Sequence, residues 1–329
     1  MGGYRLALRT ATPWTRKDSV DNIRWALSAL DPNNGRVNYG AFVASDGADV
    51  PYRLWLAPKP RGKILLLHGC CDYSGAFDDI APKLVKRGFS CLAYDQRGFG
   101  ATASRGNWSG QPRMVEDVRD AVAFFRTRAT NDVPLFIVGE SMGGSIAVHA
   151  AAEHKDLDIG ALVLVAPGAL ASAMRNTVYG WVMAALRFFA GRSEIVVERS
   201  DGSDLTAAAA IRLLGDPMVM HAIRAELLAG VIAMGYSAVD AARQVTVPTL
   251  TMSAGRDDLL RGACVRQLYE NLGGEKKWIA IKKGPHLLLH WQRGGIVLRL
   301  ARRWIERQLK SPGPAASSLP FPVAQQDDA

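Results

Sequence analysis

Six short apolar runs recur along the 329-residue chain: 63–68 (K-I-L-L-L-H), 89–94 (F-S-C-L-A-Y), 134–139 (P-L-F-I-V-G), 161–166 (A-L-V-L-V-A), 248–254 (P-T-L-T-M-S-A) and 277–282 (K-W-I-A-I-K). Each reads as a strand covered on both faces. Segments of helical period lie between most of them, near 76–87, 114–128, 142–153, 262–272 and 291–309. Strand and helix in alternation predict an α/β fold, a mostly parallel central sheet flanked by helices. Ahead of this series, runs 38–44 and 51–57 flank S-D-G-A-D and predict a hairpin.

One interval breaks the rhythm. Residues 170–246 separate two strands by far more than an ordinary connection, so an inserted unit is expected there. Its pattern is helical: Val178, Trp181, Val182, Ala185 and Phe188 make one apolar stripe, and 217–235 supplies a second helix-rich stretch. The expected organisation is an extension at 1–37 with an amphipathic helix at 18–30, a core from 38–169 and 247–310, a helical cap at 170–246, and a disordered tail at 311–329 rich in Pro, Ala and Ser.

Composition narrows the function classes. The formal charge of +9 is spread along the chain, with no basic run, zinc spacing or stacking motif, so nucleic acid is not an expected partner. Cys70, Cys71, Cys91 and Cys264 have neither the density of a disulfide framework nor the spacing of a zinc site, and all four are expected to be reduced. Arginines interrupt M-G-G-Y-R-L-A-L-R-T, so no secretory signal is read there, and no stretch approaches about 20 uninterrupted apolar residues. A cytoplasmic location follows, with peripheral membrane contact left open; the oligomeric state is not legible.

Gly139-Glu140-Ser141-Met142-Gly143 fits G-x-S-x-G where a strand gives way to a helix. Glycines two before and two after remove side chains that would clash in a strained turn, leaving the Ser141 hydroxyl above the sheet edge. A serine nucleophile needs a base, and the base a carboxylate. The run 248–254 is followed by Gly255-Arg256-Asp257-Asp258, and 277–282 by Gly284-Pro285-His286. Both turns fall at the carboxyl edge of a parallel sheet, where open-sheet sites assemble. Asp257 and Asp258 both remain candidates for the acid. His286 directly follows its strand, whereas the competing His290 lies within the next apolar segment, so position favours His286 as base.

The stretches H-G-C-C-D-Y-S-G-A-F (68–77), Y-D-Q-R-G-F-G-A-T (94–102), G-E-S-M-G-G (139–144), G-R-D-D-L-L (255–260) and G-P-H (284–286) resemble the α/β-hydrolase superfamily. Within it, the resemblance is to the monoacylglycerol lipase and lysophospholipase group related to serine aminopeptidases. It covers about Tyr39 to Gln308. It implies a triad of Ser141, Asp258 and His286, the acid being placed by the spacing of the family's G-x-x-D turn. It also implies an oxyanion hole from the backbone N–H groups of Met142 and Cys70, with His68 and Gly69 organising the second donor's loop. Cys70 has a rival reading as a thiol nucleophile. Asp95 and Arg97 are expected to pair within a structural glycine turn. The chain departs from the family at Asp72-Tyr73, where Glu-His is frequent, and at Glu140 and Phe99, where His is.

The resemblance implies hydrolysis of a carboxylic ester through an acyl-enzyme, with no metal or organic cofactor. A small acyl ester or single-chain lipid is the expected substrate, and Trp181 and Phe188 are candidates to line its channel. Two other readings stay open. One is a peptidase or amidase of the same superfamily, for which Glu194, Glu198, Asp201 and Asp204 would bind a free amino terminus. The other is a non-catalytic ligand cup on the same fold.

Overall fold

The computed structural model describes residues 5–9, 37–129, 133–170, 193–198 and 204–309. In chain order the strands are β1 (Arg5–Arg9), β2 (Asn38–Val43), β3 (Asp49–Trp55), β4 (Gly62–Leu67), β5 (Phe89–Tyr94), β6 (Leu135–Glu140), β7 (Ile159–Val165), β8 (Glu194–Glu198), β9 (Ala222–Arg224), β10 (Thr249–Arg256) and β11 (Lys276–Pro285). The helices are α1 (Ala81–Val85), α2 (Gln111–Arg128), α3 (Met142–Glu153), α4 (Ala207–Gly215), α5 (Ala225–Ala241), α6 (Gly262–Asn271) and α7 (Gly294–Gln308).

Eight strands form the main sheet in the order β11-β10-β7-β6-β4-β5-β3-β2. From β5 to β11 every neighbour is parallel, while β3 runs antiparallel to both β5 and β2. The expected β2–β3 hairpin is present, turned by Gly47 at φ +80 with the Ala44 N–H on the Ala48 carbonyl at 2.9 Å. From β4 the chain first moves to β5 on one side, then returns to β6 on the other. The loops after β4 and β6 therefore diverge, leaving a crevice at this switch point.

Successive strand side chains point to opposite faces and feed two apolar cores. Leu65, Leu67, Ile137, Leu162 and Leu164 pack with α2, α3, α5 and α6 on one face. Ile64, Leu66, Phe136, Val138 and Val163 pack with α1 and α7 on the other. Each fully buried side chain of this size contributes about 1.5–3 kcal/mol, which is why the runs are apolar without alternation.

The interval 170–246 differs from its expected all-helical content. It holds α4 and α5, but also β8 and β9, which pair antiparallel with each other in a separate three-stranded sheet. The third strand is β1, aligned Arg5 with Glu198 through Arg9 with Glu194. Strand pairing over nearly 190 positions leaves no local sequence signal. α5 sits among the core helices: Leu227, Met234, Ala238 and Val239 are buried against α3 and its neighbours. The stretch Ala225–Gln244 is long and apolar enough by composition to cross a membrane, and more than half of it is buried in the protein. Residues 18–30, the stripe at 178–188 and the 311–329 tail lie outside the described residues.

Candidate active site

β6 ends at Glu140, and α3 begins at Met142. Ser141 between them has φ 53 and ψ −121, a conformation a non-glycine residue holds only when its surroundings impose it. The surroundings are backbone. A Cβ on Gly139 would lie 2.3 Å from the Gly143 carbonyl oxygen, and one on Gly143 would lie 2.2 Å from that of Leu67. Neither neighbour is the movable end of a side chain, so both glycines are sterically required. Gly144 allows Pro167 to approach, its Cβ position being 2.8 Å from that ring. The Ser141 N–H bonds the Val165 carbonyl at 3.0 Å and its own carbonyl accepts the Gly168 N–H at 2.8 Å, anchoring the turn on β7.

The Ser141 hydroxyl donates to His286 Nε2 at 2.9 Å. On the other side of the ring, His286 Nδ1–H donates to Asp257 Oδ2 at 2.8 Å. Both partners of this hydrogen bond are nearly buried, with side-chain exposures of 7% for His286 and 5% for Asp257. The structure thus corrects the choice of Asp258: that residue is exposed, and its neighbour faces the imidazole. The reason lies in sheet register. β10 and β11 slip between Ala254 and Arg256 so that Arg256 pairs with Pro285. The residue that follows each strand is then Asp257 after β10 and His286 after β11. Gly255 permits the irregularity, since a Cβ there would stand 2.3 Å from the Lys282 carbonyl oxygen. The Leu259 and Leu260 N–H groups bind Asp257 Oδ1 at 3.0 and 2.8 Å, which aims the second oxygen at the ring.

The family described as Serine aminopeptidase, S33 matches residues 58–291, more than half of the chain and the whole span from β4 through the histidine loop. The chain belongs to this family. Among relatives of the S33 member, a monoacylglycerol lipase of Mycolicibacterium smegmatis is 28% identical over 282 residues, covering 82% of this chain and 97% of that protein. A monoglyceride lipase of Rattus norvegicus is 25% identical over 284 residues, covering 82% and 91%. A soluble variant of the Saccharomyces cerevisiae monoglyceride lipase, solved with a substrate analog, superposes with a TM-score of 0.67 at 20% identity, covering 82% of this chain and 94% of that one. The fold is accordingly that of the α/β-hydrolases.

In this S33 member the loop after β4 abuts Ser141: a Cβ on Gly69 would sit 3.4 Å from Ser141 Cβ. Cys70 is the next residue of that loop, and on the other side of Ser141 stands Met142, the first residue of α3, whose N–H has no carbonyl within the helix. His68 ties the loop down. Its Nδ1–H donates to the Gly69 carbonyl at 2.8 Å, while Nε2 accepts the Gln96 N–H at 3.0 Å. Burial holds this imidazole below its ordinary pKa, so it stays neutral in the tautomer those bonds select. His149, two turns along α3, is buried against Gln111, Ser237 and the Met234 carbonyl, away from the nucleophile.

Asp95 and Arg97 do not pair with each other as expected. Asp95 receives the Ser74 and Ala101 N–H groups, while Arg97 binds Asp46 and Asp117. Gly100 is needed here because a Cβ would fall 2.3 Å from Asp95 Oδ2. The departures at 72–73 anchor the 205–220 segment: Arg212 on α4 pairs with Asp72, and the Tyr73 hydroxyl donates to Asp216 at 2.5 Å. Burial would raise the Asp72 carboxyl, but Arg212 and His290 outweigh it and hold the group below the ordinary range.

Sequence reasoning did not foresee the role of Glu140. Its carboxylate, 3% exposed, accepts the Leu289 N–H at 2.9 Å and faces His290 Nε2 at 3.3 Å, bracing the histidine loop against the elbow. A charged residue ending an otherwise apolar strand was the available signal. Trp181 and Phe188 lie outside the described residues. Among the described residues, no three His, Cys, Asp or Glu side chains gather as metal ligands.

Proposed function

We propose that Ser141, His286 and Asp257 work as nucleophile, base and orienting acid in hydrolysis of a single-chain carboxylic ester. The carrying observation is the continuous chain from Ser141 Oγ to His286 Nε2 and from His286 Nδ1 to Asp257, at 2.9 and 2.8 Å. Ser141 Oγ attacks the acyl carbonyl as His286 takes its proton, and the Met142 and Cys70 N–H groups receive the oxyanion. His286 returns the proton to the departing alcohol. Water, deprotonated by the same ring, then releases the carboxylic acid and regenerates the serine.

A monoacylglycerol or lysophospholipid is the favoured substrate class, in keeping with relatives named as monoacylglycerol and monoglyceride lipases. The outer face of α4 supports contact with a lipid surface: Ile211 is 75% exposed and Leu214 49%, next to exposed Ala207 and Ala208. We place the protein in the cytoplasm, with α4 as the part of the cap that meets lipid.

A fluorophosphonate is expected to label the wild-type protein and to leave Ser141→Ala unlabelled. Turnover of long-chain monoacylglycerol and lysophospholipid should exceed that of aminoacyl amides. Ser141-independent labelling would overturn the catalytic reading, and faster amide than ester turnover would transfer it to the peptidase branch.

A further inference from the structure

Cys70 and Cys71 have no thiol role in ester hydrolysis, yet their geometry is unusual. Successive side chains on an extended chain point to opposite sides. Here Cys71 adopts φ 66, which turns its side chain back beside its neighbour, and the two sulfurs stand 3.6 Å apart. Cys70 is half-buried in the loop that abuts Ser141, and Cys71 is 4% exposed beneath it. The pair is held from both ends. The Gly69 carbonyl accepts the Asp72 N–H at 3.3 Å, and the Cys71 carbonyl accepts the Met220 N–H at 2.8 Å.

We propose that Cys70 and Cys71 form a peroxide-oxidisable dithiol whose closure to a vicinal disulfide switches turnover off. The Cys70 thiolate attacks hydrogen peroxide, forming an S–O bond, breaking the O–O bond and releasing hydroxide, which leaves as water on protonation. The Cys71 sulfur then attacks the Cys70 sulfenic acid; the S–S bond forms, the S–O bond breaks, and the departing hydroxide leaves as water with the thiol proton. Two electrons pass from the two thiols to one peroxide, which ends as two waters. A dithiol reductant reverses the oxidation.

Closure brings the sulfurs from 3.6 Å to about 2.05 Å. The eight-membered ring so formed contains the Cys70–Cys71 peptide, so the backbone torsions on both sides of that peptide must change. Cys70 Cα is itself a ring atom, so closure also re-aims the Gly69–Cys70 peptide attached to it and the Cys70 N–H that this peptide carries; losing one oxyanion donor costs about 10²–10³ in rate. This loss of turnover rests on the proposed oxyanion role of Cys70; formation of the disulfide does not. The other two cysteines are poor competitors. Cys264 is 6% exposed, and burial pushes the Cys91 thiol far above its ordinary pKa, keeping it protonated and unreactive.

The test uses the full-length reduced protein treated with graded hydrogen peroxide, quenched with catalase and alkylated with iodoacetamide. Peptide mass mapping and turnover of a short soluble ester are then read in parallel. The expected result is a peptide carrying Cys70 and Cys71 that is two mass units below its unalkylated dithiol form, with neither cysteine alkylated. Turnover should fall about 10²-fold or more, the cost of losing one donor, and return with dithiothreitol. Cys71→Ala, or the closer isostere Cys71→Ser, should keep its own untreated rate under the same dose. Sulfinic or sulfonic acid at Cys70 without the two-unit loss overturns the proposal, as does equal inactivation of the Cys71 variants. A disulfide that forms with turnover unchanged overturns the switch and the Cys70 oxyanion role. The serine hydrolase reading would still stand on Ser141 labelling.

Discussion

Two buried carboxylate–imidazole pairs have histidines four positions apart, and only one of them meets Ser141. Asp257 and His286 are joined at 2.8 Å, and the ring's second nitrogen takes the Ser141 hydroxyl. Glu140 and His290 are 3.3 Å apart, and the second nitrogen of His290 is buried without a hydrogen-bond partner. The groups are chemically alike. What differs is the backbone that carries them: β10 and β11 deliver the first pair to the sheet's carboxyl edge, while the second staples β6 to the loop behind it. Residue type makes a base available, and position above the elbow makes it useful.

The sharpest way to break this contrast is to remove each histidine. His286→Ala should lower kcat by about 10⁴-fold or more, as loss of a triad base does. His290→Gln should retain fluorophosphonate labelling of Ser141 and lose mainly thermal stability. Comparable loss of kcat in both variants would erase the distinction. The two aspartates divide in the same way. Asp257→Asn should cost about 10⁴ in kcat through the wrong ring tautomer, with Asp258→Asn within a few-fold of wild type, measured on one soluble ester.

The stapling pair should register in stability. Glu140→Leu strands the Leu289 N–H and the His290 ring, and leaving a buried donor without its acceptor costs about 1–3 kcal/mol. Denaturant unfolding measures this, and Glu140→Gln, which keeps an acceptor for Leu289, should recover part of the loss. The smallest effect is expected at the far edge of the sheet. Hydrogen bonding from Arg97 lowers the Asp46 carboxyl to about 2, against about 3.9 in an unfolded chain. Between those values the unfolded chain binds more protons, so this contribution is complete above about pH 4 and is lost as pH falls through about 2. Because Asp46 is largely exposed, Asp46→Asn should cost about 1 kcal/mol or less at neutral pH and flatten the acid limb of the stability curve.

Much of this was legible in the chain itself. Apolar runs without alternation can be satisfied only between two helical layers, and the described main-sheet strands fall within a few residues of where those runs lie. Gly139 and Gly143 announced the elbow because no other residue fits against the backbone there. His286 was legible because it directly follows a strand. Asp257 was not distinguishable from Asp258, since adjacent residues share every local preference and a family spacing cannot see a slip of register. Only the pairing of Arg256 with Pro285 decided between them.

The sequence by itself determined which segments become the strands of the main sheet and which serine stands at a strained turn, because those follow from local sterics and from burial of apolar side chains. Tertiary structure alone decided which carboxylate faces His286, that Glu140 braces the histidine loop, and that Arg5–Arg9 pairs with Glu194–Glu198. Those contacts join residues 29, 149 and roughly 190 positions apart. Their partners are chosen by how the sheet is assembled, not by anything adjacent in the chain.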